Sequence, residues 1–237
     1  MYHTFLGLLY QCRKEFFVGT GLARKILAHR RAAVYNKEKE GGIGMGIEYE
    51  LKYRATPQIQ QQIRETFGLP EQTFRMQTTY YDTPEADLSA RWYTLRRRME
   101  NDVSVCTLKY PAGENGRGEI EVQCQEITQA LPELCKLIDL PELPGLLEKG
   151  LVEVCGARFD RIAMTVSLQD TVVELALDVG VLTGGGKEVP LCEVEVELKS
   201  GSREQTAAFA QRLALAYGLE PEKRSKFRRA QALAKGE

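Results

Sequence analysis

Several stretches of this sequence place charge on every second residue. Glu48, Glu50 and Lys52 form one set, Arg96 and Arg98 another, and Glu193, Glu195, Glu197 and Lys199 a third. Alternate residues of a β-strand point to the same side, so each stretch would present its charges from a single face. Neighbouring glutamates on such a face sit roughly 7 Å apart, where two like charges repel by about 2.4 kcal/mol at an effective dielectric of about 20. Water screens this repulsion on an open surface, whereas an enclosed face would need cations. Clustered carboxylates hold Mg²⁺ or Mn²⁺ through oxygen ligands. Arg and Lys cradle a polyanion such as triphosphate. A metal between the two would neutralise phosphate charge and position an attacking water. None of this chemistry needs a histidine or an activated cysteine.

The elements that would carry these residues read as strands with a few helices. Residues 46–53 alternate, with Ile47, Tyr49, Leu51 and Tyr53 on the face opposite the charges. Thr56 caps a following helix with Pro57 at its first position, Ile59, Ile63 and Phe67 as its apolar stripe, and Gly68 as its stop. Strands are expected at 74–81, 93–99, 103–109 and 118–123, with an Asn101-Asp102 turn making a hairpin. A Leu-rich helical region, 127–150, is interrupted by Pro132, Pro141 and Pro144. Further strands follow at 155–159, 162–169, 171–179 and 191–199, with a Gly184-Gly185-Gly186 turn. Ser202 and Gln205 form a capping box for the last long helix, ending near Gly218, and a short basic tail, 223–229, closes the reading. Many strands without a βαβ rhythm predict an α+β fold, either an open antiparallel sheet with a wet face or a closed barrel with a charged lumen.

Composition removes several alternatives. The chain has 237 residues, 43% hydrophobic and 27% charged, which suits a folded core. A net charge of −1 disfavours nucleic-acid binding by bulk positive charge, and no apolar run reaches the length of a membrane span. His3 and His29 are the only histidines, which argues against a Ser-His-Asp triad or a His-rich zinc site. The six cysteines show no CxxC spacing, so they read as reduced, in a cytoplasmic protein. Residues 1–44 hold eight Lys/Arg against three Asp/Glu and end in a Gly-rich break before Met45. They read as an N-terminal extension: an over-extended start, a helical appendage or a targeting peptide. The folded domain is expected over 45–237.

Taken in order, the charged stretches resemble a known family. The Glu48-Tyr49-Glu50-Leu51-Lys52 segment is similar to the ExExK motif of the CYTH superfamily, the triphosphate tunnel metalloenzymes. The segments 80–84 (YYDTP), 95–98 (LRRR), 107–109 (TLK), 117–121 (RGEIE), 174–178 (ELALD), 193–199 (EVEVELK) and 225–227 (SKF) follow in the family's order, and the resemblance covers nearly all of 45–230. It implies an eight-stranded antiparallel β-barrel, the triphosphate tunnel, with flanking helices. It also implies binding of a small-molecule triphosphate with Mg²⁺ or Mn²⁺, and no nucleic acid or membrane partner. A homodimer stays open.

By position, Glu48, Glu50, Glu193 and Glu195 resemble metal-binding carboxylates, with Glu48, Glu50 and Lys52 at the catalytic centre. Glu197 shares the phase of Glu193 and Glu195, so which of the three ligates is open. Lys52, Arg96, Arg98, Lys109, Arg117, Arg158 and Lys226 resemble phosphate-binding residues. Glu119, Glu121, Glu174 and Asp178 resemble further lumen acids. Arg97 lies on the opposite phase. Arg161 could pair with Asp160 or a lumen acid, Lys199 and Lys223 read as solvated, and Tyr80, Tyr81 and Trp92 either pack or stack on an organic substrate. The tail is most similar to bacterial members acting on inorganic triphosphate, which would be cleaved to pyrophosphate and phosphate. Thiamine triphosphatase, adenylate cyclase and a non-catalytic polyphosphate-binding module are the alternatives.

Overall fold

A computed structural model of the chain describes residues 44–112 and 116–237. The extension over 1–44, both histidines and Cys12 therefore lie outside the described residues, apart from Gly44. The five described cysteines are free thiols. No helix among the described residues is long and apolar enough to cross a membrane.

The elements run β1 (Gly44–Ile47), β2 (Glu50–Arg54), α1 (Pro57–Phe67), β3 (Glu71–Asp82), α2 (Asp87–Ala90), β4 (Thr94–Glu100), β5 (Val103–Ala112) and β6 (Gly116–Gln123). They continue with α3 (Ile127–Lys136), α4 (Leu143–Leu147), β7 (Val152–Leu168), β8 (Thr171–Gly184), β9 (Lys187–Ser200), α5 (Arg203–Tyr217), β10 (Glu220–Pro221) and α6 (Lys226–Lys235). All strand pairs are antiparallel, in the order β1-β6-β5-β4-β3-β7-β8-β9-β2-β10. Eight of these strands have five or more residues.

Hydrogen bonds do not close the sheet, because β1 lies at one end of the order and β2 with β10 at the other. The chain itself makes the seam. β1 pairs with β6, Glu48 and Tyr49 leave the ladder, and β2 pairs with β9 only two residues later. Two distant edges joined by two residues force the twisted sheet to curl into a tunnel.

The apolar phase of the strands faces outward and is covered by helices. Ile63 of α1 and Phe209 and Leu213 of α5 pack with Val173, Leu175, Leu177, Val194 and Val196. Leu88, Ile127, Ala130, Leu134, Leu143 and Leu146 cover Leu95, Cys106, Leu108 and Ile120. Each such fully buried Leu, Ile or Val contributes about 1.5–3 kcal/mol. With one phase held under the helices, the charged phase is left for the inside.

The local signals act as expected at several ends. The Thr56 side chain accepts from the Ile59 N–H, and Gly68 ends α1 with φ 53°. Gly185 and Gly186, with φ 58° and 74°, make the β8–β9 turn that β-carbons would strain.

Three elements differ from the sequence reading. The strands expected at 155–159 and 162–169 are one 17-residue strand, β7. The basic tail is a helix: Ser225 caps it by accepting from the Arg228 N–H, and Phe227, Ala230 and Gln231 are buried. Pro132 also sits within α3 rather than ending it.

Candidate functional site

The tunnel encloses a cavity of about 690 Å³ lined from nearly every strand, within the range of small-molecule sites, about 300–1,000 Å³. Strand phase decides who enters. Glu50 and Lys52 come from β2, Arg96 and Arg98 from β4, Lys109 from β5, and Arg117, Glu119 and Glu121 from β6. Arg161 comes from β7, Glu174 from β8, Glu195, Glu197 and Lys199 from β9, and Lys226 from the start of α6. Glu48, in the seam between β1 and β2, is also on the wall.

Along one side lies a basic group. Arg96 is 3.2 Å from Glu119 and 3.6 Å from Glu121. Burial works against its charge, yet Glu119, Tyr80 and Glu121 hold its pKa above the usual value. Arg98 pairs with Glu100, and Lys109 with Glu48 and, at 3.3 Å, Glu119. The Nε atoms of Arg96 and Arg98 are buried and have no hydrogen-bond partner. Both side chains also line the cavity, where a guanidinium is suited to the oxygens of an anion. Arg117 donates to Thr94 Oγ1 at 2.9 Å and to the Trp92 carbonyl at 3.4 Å. Burial lowers its pKa, opposed by Glu48.

Opposite lies a row of carboxylates. The strand register sets Glu50 beside Glu197, and Glu197 beside Glu174. Burial pushes the Glu197 carboxyl above the usual range; Lys199 at 2.9 Å opposes this, while Glu174 and Glu48 add to it. Carboxylates crowded together in this way form a site where a hard cation would be stabilised. Lys199 is therefore engaged with Glu197 and, at 3.7 Å, Glu174, rather than simply solvated.

Deeper in, the carboxylates of Asp178, Glu193 and Glu195 converge within 4.8 Å of one another. The ammonium of Lys226 lies 2.8, 2.7 and 2.7 Å from these three. Arg161 makes a two-pronged contact with Asp178 at 2.7 and 2.8 Å and also meets Glu195, and Arg229 reaches Glu193. Burial would raise the Glu195 carboxyl, but Lys226, Arg161 and Lys52 hold it well below the usual range. Burial likewise opposes the Lys226 charge, and Asp178, Glu195 and Glu193 keep its pKa raised. Three carboxylates face Lys226, Arg161 and Arg229 here, with Lys52 3.9 Å from Glu195 as a fourth cation, and Lys226 stands where a bound cation would otherwise stand. From behind, the buried Gln60 amide donates to the carbonyls of Asp178 and Glu193 at 3.1 and 2.8 Å.

The structure thus gathers every site residue expected from the sequence except one. Arg158 is the departure: its side chain is 57% exposed and pairs with Glu188, itself 52% exposed, on the outer face. Reading β7 as two strands lost the phase. In the continuous strand Phe159 and Arg161 face the lumen, while Arg158 and Asp160 are exposed. The sequence leaves the partner of Arg161 open and does not single out Arg229. Its signal was present: on a helix capped by Ser225, residues 226 and 229 share one face. Tyr80 lines the cavity against Phe227 at 5.1 Å, Tyr81 packs in the outer core, and Trp92 is 65% exposed.

Comparison with known proteins agrees with this architecture. The CYTH domain family matches residues 46–230. An inorganic triphosphatase of Haemophilus influenzae is 29% identical over 174 residues, covering 70% of this chain and 49% of the relative. The chain therefore spans about half the length of the curated relative it matches. A candidate adenylate cyclase from Bacillus halodurans superposes with a TM-score of 0.53 at 17% identity, covering 78% of this chain and 98% of its own. A candidate adenylyl cyclase from Hippeastrum, described as having a dominant triphosphatase activity, gives 0.51 at 19% identity, covering 80% and 95%. At these identities the two structures speak to the fold: an antiparallel sheet curled as a tunnel.

Proposed function

Because the chain belongs to the CYTH domain family, we propose that it is a metal-dependent triphosphatase that cleaves inorganic triphosphate to pyrophosphate and phosphate inside the tunnel. The observation that carries this reading is one cavity whose wall sets the guanidinium groups of Arg96 and Arg98 across from the carboxylate row Glu50, Glu197 and Glu174. The row fits an oxygen-seeking divalent ion. Glu48, Glu50 and Glu197 are the residues that would hold Mg²⁺ or Mn²⁺, which when bound offsets phosphate charge and raises the reactivity of water. Glu193 and Glu195, whose spacing also suggested ligation, form with Asp178 an acidic group that could hold a cation; Lys226, Arg161 and Arg229 face them, whereas Glu48, Glu50 and Glu197 each meet a single lysine.

In this reading the protein's own side chains bind and orient. Arg96, Arg98 and Arg117 with Lys52 and Lys109 take the phosphoryl oxygens, and Glu119 and Glu121 hold the Arg96 guanidinium in place. Water attacks a terminal phosphorus in line, the bridging P–O bond breaks, and pyrophosphate leaves with the shared electron pair. The water's proton passes to a carboxylate of the Glu50 row. Fixed positive charge around the transferring phosphoryl group supplies most of the rate enhancement, as phosphoryl transfer requires positioning and electrostatics above all.

The test is phosphate release from inorganic triphosphate, thiamine triphosphate and ATP, each with Mg²⁺, Mn²⁺ or EDTA. Metal-dependent release, fastest from inorganic triphosphate, is expected. Glu50→Gln should keep the unfolding midpoint yet lose at least tenfold in metal-dependent kcat. A fully active Glu50→Gln protein would remove Glu50 from the metal site.

A further inference from the structure

The helix α1 buries one polar side chain that packing alone does not require. This helix covers the outside of the sheet, and its two buried residues are Ile63 and Gln60, 0% and 5% exposed. A buried amide without partners is costly, and an apolar side chain of similar length would fill the same space. The Gln60 amide nitrogen has two partners: it donates to the Asp178 carbonyl at 3.1 Å and to the Glu193 carbonyl at 2.8 Å. These two residues face each other across β8 and β9. One amide therefore ties two strands at a single rung. Toward the start of β8 the same pair of strands loses regular register, between Val172 and Val173. A slip of either strand at the rung would break one of the two bonds, so the amide fixes their relative position.

The other face of this rung belongs to the tunnel. The adjacent residues Leu177 and Val194 lie in the core beneath α1, so the side chains of Asp178 and Glu193 point inward. There they meet the Lys226 ammonium at 2.8 and 2.7 Å, and Asp178 holds the Arg161 guanidinium with two hydrogen bonds. Lys226 and Arg161 both line the cavity, whereas Gln60 does not.

We propose that Gln60 is a positioning residue for triphosphate binding: from outside the tunnel its amide sets the Asp178–Glu193 rung, and the rung sets the Lys226 ammonium and the Arg161 guanidinium that face the substrate. This rests on the triphosphatase reading and adds to it a residue that never touches the substrate. The carboxylates that hold Lys226 and Arg161 are carried by the two strands that Gln60 joins, so a shift between those strands moves both cations. A misplacement on the order of 1 Å in a group that binds a reactant costs up to about 100-fold. One lost tie within an otherwise intact ladder displaces the rung by less, and a smaller loss follows.

The test compares Gln60→Met and Gln60→Leu, which fill the space without donating, with Ile63→Val, which loosens the same helix without touching the rung. Inorganic triphosphate is titrated by calorimetry into each full-length protein in EDTA, so that no turnover intervenes. Phosphate release with Mg²⁺ is then measured well below each unfolding midpoint. Both Gln60 variants should weaken triphosphate binding at least about fivefold and raise KM by a similar factor, with kcat changed less than about twofold, because displaced cations weaken ground state and transition state alike. Ile63→Val should lower the unfolding midpoint yet keep the affinity and KM of the wild type. Unchanged affinity in both Gln60 variants, a loss confined to kcat, or an equal loss in Ile63→Val would overturn the proposal. A wild type that binds triphosphate but releases no phosphate would defeat the triphosphatase reading, yet the calorimetric comparison would still decide the role of Gln60. A wild type that binds no triphosphate would end both.

Discussion

Lys226→Met removes the ammonium that lies 2.8, 2.7 and 2.7 Å from Asp178, Glu193 and Glu195. Each contact represents about 6 kcal/mol of gross attraction at an effective dielectric of about 20. Desolvation of the ammonium and the carboxylates cancels much of that sum, as does repulsion from Arg161. The net is best taken from the cost of deleting one partner of a buried ion pair, about 3–5 kcal/mol. Arg161, Arg229 and, at 3.9 Å from Glu195, Lys52 would remain, but the one cation that touches all three buried carboxylates would be gone. For a domain of this size the loss corresponds to a fall in Tm on the order of 10 °C. Urea unfolding of the wild type and variant measures it directly, with an unchanged m-value showing that only stability moved. Adding Glu195→Gln to Lys226→Met removes one of the carboxylates that the ammonium had faced at 2.7 Å, so the double variant should be more stable than the sum of the two single losses by 1 kcal/mol or more, within the range of couplings between contacting residues, roughly 0.5–3 kcal/mol. A single-variant loss below about 1 kcal/mol, or strict additivity in the cycle, would refute the view that Lys226 neutralises this cluster.

Three further outcomes can be checked with the same unfolding assay. Asp82→Asn turns an acceptor toward three backbone donors into a partial donor, and a loss of about 2–3 kcal/mol is expected, with a shifted emission maximum from Trp92. Gly180→Ala would place a β-carbon 2.1 Å from the Arg158 carbonyl oxygen and 2.5 Å from Phe159 Cα, both backbone atoms that cannot step aside; a loss of about 1–3 kcal/mol, as for overpacking, is expected. Burial would raise the Glu222 carboxyl, but the Arg224 N–H and the Arg54 and Arg224 side chains bring it down to about 2. A depressed carboxylate stabilises the fold above its unfolded pKa and loses that contribution as pH falls toward the folded one. The stability difference between wild type and Glu222→Gln should therefore be full at neutral pH and shrink from about pH 4.5 downward to pH 2; a difference constant over that interval would contradict it.

Much of the tunnel wall was legible in the sequence because strand phase is local. The period of two in 46–53 and 191–199 states which side chains share a face, whatever the strands pair with. It therefore placed Glu48, Glu50 and Lys52 together, and Glu193, Glu195 and Glu197 together, before any partner was known. The Thr56 cap with Gly68, and the Ser202 cap with Gly218, likewise depend only on neighbours in the chain. Where local phase was misjudged, the site residue moved with it: a break imagined near residue 160 exchanged Arg158 for Arg161.

Closure, and the division of labour among the carboxylates, belong to the tertiary structure. Periodicity cannot distinguish an open sheet with a wet face from a tunnel, because the outward and inward phases look alike until helices cover one of them. Glu193, Glu195 and Glu197 are equivalent along β9, and only their neighbours separate them. Glu193 and Glu195 meet Lys226, Arg161 and Arg229, delivered from α6 and β7, whereas Glu197 lies between Glu50 and Glu174. Those neighbours are between 23 and 147 residues distant in the chain. Strand phase alone fixes which charges share a face. Which of them would be buried against cations from distant elements, and which would lie in a row of carboxylates with only a nearby lysine, followed from the register of strands far apart in the chain. Coulomb energy depends on distance in space, and no local pattern encodes that distance.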